Sequence, residues 1–88
     1  MAWTIKYTAT AEKHLQRLDR SLQQRIVEFL HKRVGAGNDP RSTGKILKGK
    51  FTNYWRYRVG DYRIICEIQD DRLTMLVISV GHRREVYR

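Results

Sequence analysis

With a single cysteine, Cys66, this chain of 88 residues has no means of forming an internal disulfide. Its fold must hold by packing, and a reducing cytoplasm is the expected setting. Cys66 stands in the apolar run Ile64-Ile65-Cys66-Glu67-Ile68, where a packed thiol is expected rather than a nucleophile. No apolar stretch approaches the roughly 20 residues needed to cross a bilayer. Nothing ahead of Trp3 reads as a signal peptide, so neither membrane insertion nor secretion is expected. Acidic residues are scarce: 9 Asp plus Glu stand against 18 Lys plus Arg, a formal net charge of +9. Such an excess says little about fold but selects partners, namely nucleic acid, an anionic surface or an acidic protein. Repeats and low-complexity tracts are missing too. A hydrophobic fraction of 41% suffices for a compact core and argues against disorder. The length fits one small domain spanning 1–88.

Alternation of Trp3, Ile5 and Tyr7 with Thr4 and Lys6 predicts a short strand. Thr8 or Thr10 is then placed to cap a helix carrying Ala11, Leu15 and Leu18 on one side. After Asp19-Arg20, Ser21 with Gln24 three residues on matches a capping box and opens a second helix. Its apolar stripe is Leu22, Ile26, Phe29 and Leu30, extending to Val34, the spacing of a face packed on a core. Gly35 and Gly37 end it, and Asn38-Asp39-Pro40 starts a loop. In the irregular stretch to about residue 52, Ile46 and Leu47 are expected to anchor the loop while Lys45, Lys48 and Lys50 face water. Strands follow at about 53–59, 62–68 and 72–80. The expected class is α+β: an antiparallel β-sheet in strand–helix–helix–strand–strand–strand order, with two N-terminal helices packed on one face.

Gly60-Asp61 fits a two-residue hairpin turn, because glycine tolerates positive φ. Counting outward pairs Arg58 with Arg63, Tyr57 with Ile64, Arg56 with Ile65, and Trp55 with Cys66. Side chains alternate faces along a strand. Arg56, Arg58 and Arg63 therefore share one face, while Trp55, Tyr57, Val59, Ile64 and Cys66 share the other, under the helices. Like charges facing each other across strands cost about 0.2–1 kcal/mol, and a bound phosphate reverses the sign through charge-assisted hydrogen bonds of about 1.5–3 kcal/mol each. The planar guanidinium fork suits this task. The alternative is a solvated face with Glu67 as an acidic neighbour. Pairing of the last strand with 62–68 returns Gly81 to the Arg58/Arg63 end, which lets His82, Arg83 and Tyr87 reach the same edge. Tyr87 then offers a ring for a stacked RNA base, or serves as an anchor against the sheet.

Leu47-Lys48-Gly49, Tyr54-Trp55-Arg56-Tyr57-Arg58, Tyr62-Arg63, Ile78-Ser79-Val80-Gly81 and His82-Arg83-Arg84-Glu85-Val86-Tyr87 together resemble the RelE branch of the RelE/ParE toxin superfamily. The likeness spans nearly the whole chain. It implies a type II toxin that enters the ribosomal A site and cleaves mRNA with neither metal nor cofactor. In that family the 2′-hydroxyl attacks the adjacent phosphate, leaving a 2′,3′-cyclic phosphate and a 5′-hydroxyl. Carried over by position, Arg56 and Arg58 match paired basic residues on the second strand and Arg63 a phosphate-stabilising arginine. Arg83 matches an arginine near the leaving oxygen, and Tyr87 a base-stacking tyrosine. Lys45, Lys48, Lys50 and Arg84 are the candidates for substrate or ribosomal RNA contacts. An acidic RelB-like antitoxin is the implied partner, alongside ribosome and mRNA.

Some relatives carry lysines where this chain has Arg56 and Arg58, and guanidinium stays protonated, so Arg58 suits a transition-state clamp rather than a base. The chain also ends at Arg88, short of the C-terminal helix some relatives possess. His82 is the candidate base, imidazole being the side chain that exchanges protons near neutrality. The other route is weak acid–base catalysis, with arginines stabilising the pentacovalent phosphate. His14 and His31 are expected on the helix surfaces. Two rivals remain: a ParE-like toxin that inhibits DNA gyrase by protein contacts, and a passive nucleic-acid-binding module acting by charge alone.

Overall fold

The computed structural model describes residues 3–35, 45–46 and 54–82. β1 (Thr4–Tyr7) leads into α1 (Ala9–Gln16) and α2 (Arg20–Leu30), which ends in one wider π-type turn, His31–Gly35. β2 (Lys45–Ile46), β3 (Tyr54–Val59), β4 (Tyr62–Gln69) and β5 (Thr74–His82) follow. The sheet order is β1-β5-β4-β3-β2. This is the expected α+β class, with two departures. β1 runs parallel to β5, pairing Ile5 with Met75 and Tyr7 with Val77, so the sheet is mixed rather than wholly antiparallel. Lys45 and Ile46, expected in a loop, form a short edge strand against Arg56 and Trp55.

Thr8 caps α1. Its hydroxyl oxygen accepts from the Ala11 amide at 3.0 Å, which satisfies one of the donors that a helix start leaves open. At α2 the expected capping box is not the device used. The N-cap is Asp19, whose carboxylate accepts from the Leu22 amide at 2.9 Å, while Ser21 lies inside the first turn. Asp19 has the extended backbone of an N-cap, and its ionised acceptor also meets the positive end of the helix dipole. Gln23 Nε2 donates to the Leu18 carbonyl at 2.8 Å, tying α2 back to the end of α1.

One face of the sheet and the two helices enclose the core. Ala11, Ile26 and Leu30 from the helices meet Tyr57, Val59, Ile64, Cys66, Met75, Val77 and Val80 from the strands. Tyr57 is fully buried and takes the edge of Phe29 at 6.0 Å between centroids. Cys66 is buried as expected, and desolvation pushes its thiol far above the usual range, leaving a packed and inert group. β5 starts at Thr74 rather than at 72, because Asp70–Arg72 form a 3₁₀ turn that Leu73 closes in the left-handed region, φ +46°. In α2 the caps yield a direct comparison. Asp19→Ala should lower unfolding free energy by about 1 kcal/mol, whereas Ser21→Ala should stay within about 0.5 kcal/mol of wild type in chemical denaturation.

Candidate nucleic-acid interface on the β3–β4 hairpin

Gly60, at φ +59°, opens the two-residue turn between β3 and β4, the position at which a II′ hairpin wants glycine. The register that follows pairs Arg58 with Arg63, Tyr57 with Ile64, Arg56 with Ile65, and Trp55 with Cys66, as counted from the sequence. The side chains of Tyr57, Val59 and Ile64 sink into the helix-side core, so strand alternation sends Arg56, Arg58 and Arg63 to the opposite face. Arg58 is exposed and the other two are half-buried. β2 places Lys45 opposite Arg56. At the same strand end, Gly81 of β5 stands across from Arg63. A glycine there adds no side chain on the β5 side of Arg63.

Ile65, which the sequence register already pairs with Arg56, is an apolar residue of this same face. Ile65 lies between Arg56 and Ser79 in the register, yet it is only 7% exposed. Arg63 beside it is half-buried, with its Nε covered from solvent, so part of that guanidinium lies within the face rather than above it. Ile65 thus forms an apolar floor within a basic face.

His82 is not brought to the guanidiniums. It pairs with Tyr62, one step beyond the Arg63–Gly81 pair, and so projects toward the helices. There its ring meets Tyr62 edge-on at 5.7 Å. It does reach the expected end of the sheet, but on the reverse side. Lys48, Lys50, Arg83, Arg84 and Tyr87 lie outside the described residues. Among the described residues no three His, Cys, Asp or Glu side chains are placed to share a metal ion.

His14 departs from the surface role expected of it, whereas His31 is exposed. β1 stops opposite Val77, and beyond that point α1 takes over the edge of β5. The Thr8 amide donates to the Val77 carbonyl, and the Thr8 hydroxyl to the Ile78 carbonyl, both at 3.0 Å. Val80 N–H then donates to His14 Nδ1 at 3.1 Å. Ile78 is the extra residue of a bulge, since Ile65 pairs with Ser79 but Cys66 with Val77. Helix side chains therefore complete the ladder that holds Val80 and Gly81 in register.

Residues 5–87 match the family described as the ParE toxin of the parDE type II toxin–antitoxin system. The chain is 30% identical to toxin RelG of Mycobacterium tuberculosis, over 100% of this chain and 99% of that protein. This chain belongs to the RelE/ParE superfamily of type II toxins. It falls in the RelE-like branch. Toxin RelE of the same organism is 32% identical, over 96% of this chain and 84% of that one. The crystal structure of the M. tuberculosis toxin–antitoxin complex RelBE2 superposes with a TM-score of 0.83 at 27% identity, covering 97% of this chain and 95% of that chain.

Two outcomes follow from this geometry. Arg58→Ala should raise stability by about 0.2–1 kcal/mol at low ionic strength, with the gain fading as salt screens the Arg58–Arg63 repulsion. His14→Ala should lower stability by about 1–3 kcal/mol, because it strands the Val80 amide. His14→Asn, which keeps an acceptor at the δ position, should recover most of that loss.

Proposed function

We propose that this toxin is a ribosome-dependent endoribonuclease that cleaves mRNA in the A site by attack of a 2′-hydroxyl on its own phosphodiester. The observation that carries this reading is the convergence of Arg56, Arg58 and Arg63 on the sheet face turned away from the helices. In the reaction the 2′-oxygen bonds to phosphorus as its proton is lost. The bond from phosphorus to the 5′-oxygen breaks, that oxygen takes up a proton, and the products are a 2′,3′-cyclic phosphate and a 5′-hydroxyl. Negative charge grows on the equatorial oxygens along the way, and preorganised guanidiniums oppose it without reorganising.

His82, on the other face, is poorly sited to take the proton from a substrate held against these arginines. That favours the electrostatic route, with the ribosome orienting the RNA and the arginines clamping the pentacovalent phosphate. Arg83 near the leaving oxygen and Tyr87 as a stacking platform complete the proposed set. Lys45, Lys48, Lys50 and Arg84 supply contacts to mRNA or ribosomal RNA. The reaction draws on no metal or cofactor. The partner that silences the toxin is an acidic RelB-like antitoxin, a reading supported by the M. tuberculosis relative having been solved as the toxin–antitoxin complex RelBE2, and the setting is the cytoplasm. No helix among the described residues is long and apolar enough to cross a membrane.

The matching family bears the ParE description, which keeps gyrase inhibition as the second reading. Cells expressing the wild type should show transcripts cut in frame within coding regions when their 5′ ends are mapped. Arg63→Ala and Arg83→Ala should each slow cleavage on purified ribosomes by about 10²–10³-fold with ribosome binding retained. Intact transcripts and relaxed plasmid DNA with the wild type would favour gyrase as the target and remove the nuclease reading.

A further inference from the structure

The end of the sheet carries cationic and donor groups on both faces. On the helix side a cleft of about 390 Å³ is bordered by His14, Arg17, Tyr62 and His82, with Leu18, Val80 and Gly81 completing its wall. No carboxylate is among its described lining residues. The donor character of His14 is set by its other ring nitrogen. Nδ1 accepts from Val80 N–H at 3.1 Å, so a neutral imidazole must hold its proton on Nε2 and offer it as a donor. Arg17 lies one turn further along α1, exposed at the cleft's rim. Tyr62 and His82 meet edge to face beside it, adding a phenol and an aromatic wall.

We propose that this cleft is a second anion subsite that holds a phosphate of an RNA strand passing over the end of the sheet. A single strand step separates it from the guanidinium face, since Arg63–Gly81 points outward and Tyr62–His82 inward. A polyanion rounding this end meets donors on both sides. The aromatic wall suits a nucleotide better than an acidic peptide, because a base has a flat face to lay against it. The nuclease reading is needed only to name RNA as the source of the phosphate.

Amide and imidazole NMR of the full chain tests this without measuring cleavage, so an inactive nuclease would leave the result intact. The probes are inorganic phosphate, a short 2′-O-methyl RNA that cannot be cut, and a glutamate-rich peptide. The variants are His14→Asn, Arg17→Ala and, as a control at the far end of the β4–β5 hairpin, Arg72→Ala. Asparagine at 14 keeps the acceptor for Val80 N–H and removes only the distal donor. Saturable shifts of the Val80 and Gly81 amides are expected with phosphate and RNA. Affinity should fall about tenfold in His14→Asn and in Arg17→Ala, and by less than about twofold in Arg72→Ala. Absence of saturable shifts, equal affinities in all variants, or binding of the peptide in preference to RNA would overturn the subsite. Shifts with free phosphate but none with RNA would overturn the assignment of its ligand.

Discussion

The antiparallel register of β3 against β4 is the constraint on which both the core and the basic face depend. A one-residue slip of β3 along β4 would turn Tyr57 and Val59 out to water and drive Arg56 and Arg58 under the helices. Burial of Tyr57 and Val59 therefore opposes such a slip, and Gly60 pins the turn from which the register is counted. The placement of Arg58 opposite Arg63 is offset by the packing of the other face of the same two strands. Core and site are two faces of one pairing.

A second constraint lies at the other side of β5. This strand outlasts its parallel neighbour β1 and would present an open edge from Ile78 onward. Thr8 and His14 close that edge with side chains instead of backbone. The consequence reaches the interface, because Gly81 stands opposite Arg63 only while the last pairs of β5 are held. The same hydrogen bond orients His14 toward the cleft, so one contact serves the fold on one ring nitrogen and the surface chemistry on the other.

The hairpin could be read from the sequence because a glycine-led turn and period-two alternation are both local signals. The direction of β1 could not, since alternation marks a strand but carries no information on which neighbour it joins. β2 has two residues, too few for any period. Asp19 and Ser21 are both good capping residues, and choosing between them requires the backbone angle at which the helix starts. The face of His82 was countable in principle. Gly81 opposite Arg63 forces the next residue inward, but that count needs the β4–β5 register, which the bulge at Ile78 shifts by one. His14 shows the limit of helix-face reading. Its partner, Val80, is 66 residues away, and an imidazole on a helix gives no hint of an unpaired strand edge to come.

A net charge of +9 attracts RNA from any direction, so the central question is whether Arg56, Arg58 and Arg63 do something that bulk charge does not. The salt dependence of binding to single-stranded RNA answers it, because each phosphate contact contributes about 0.7 to the slope of log affinity against log salt. Replacing the three arginines together with glutamine should reduce that slope by about 2. Three equal charge removals elsewhere, at Lys13, Arg20 and Arg72, should leave it nearly unchanged. Equal reductions from both sets would mean that the face binds by charge alone, and the account of a built phosphodiester site would be wrong.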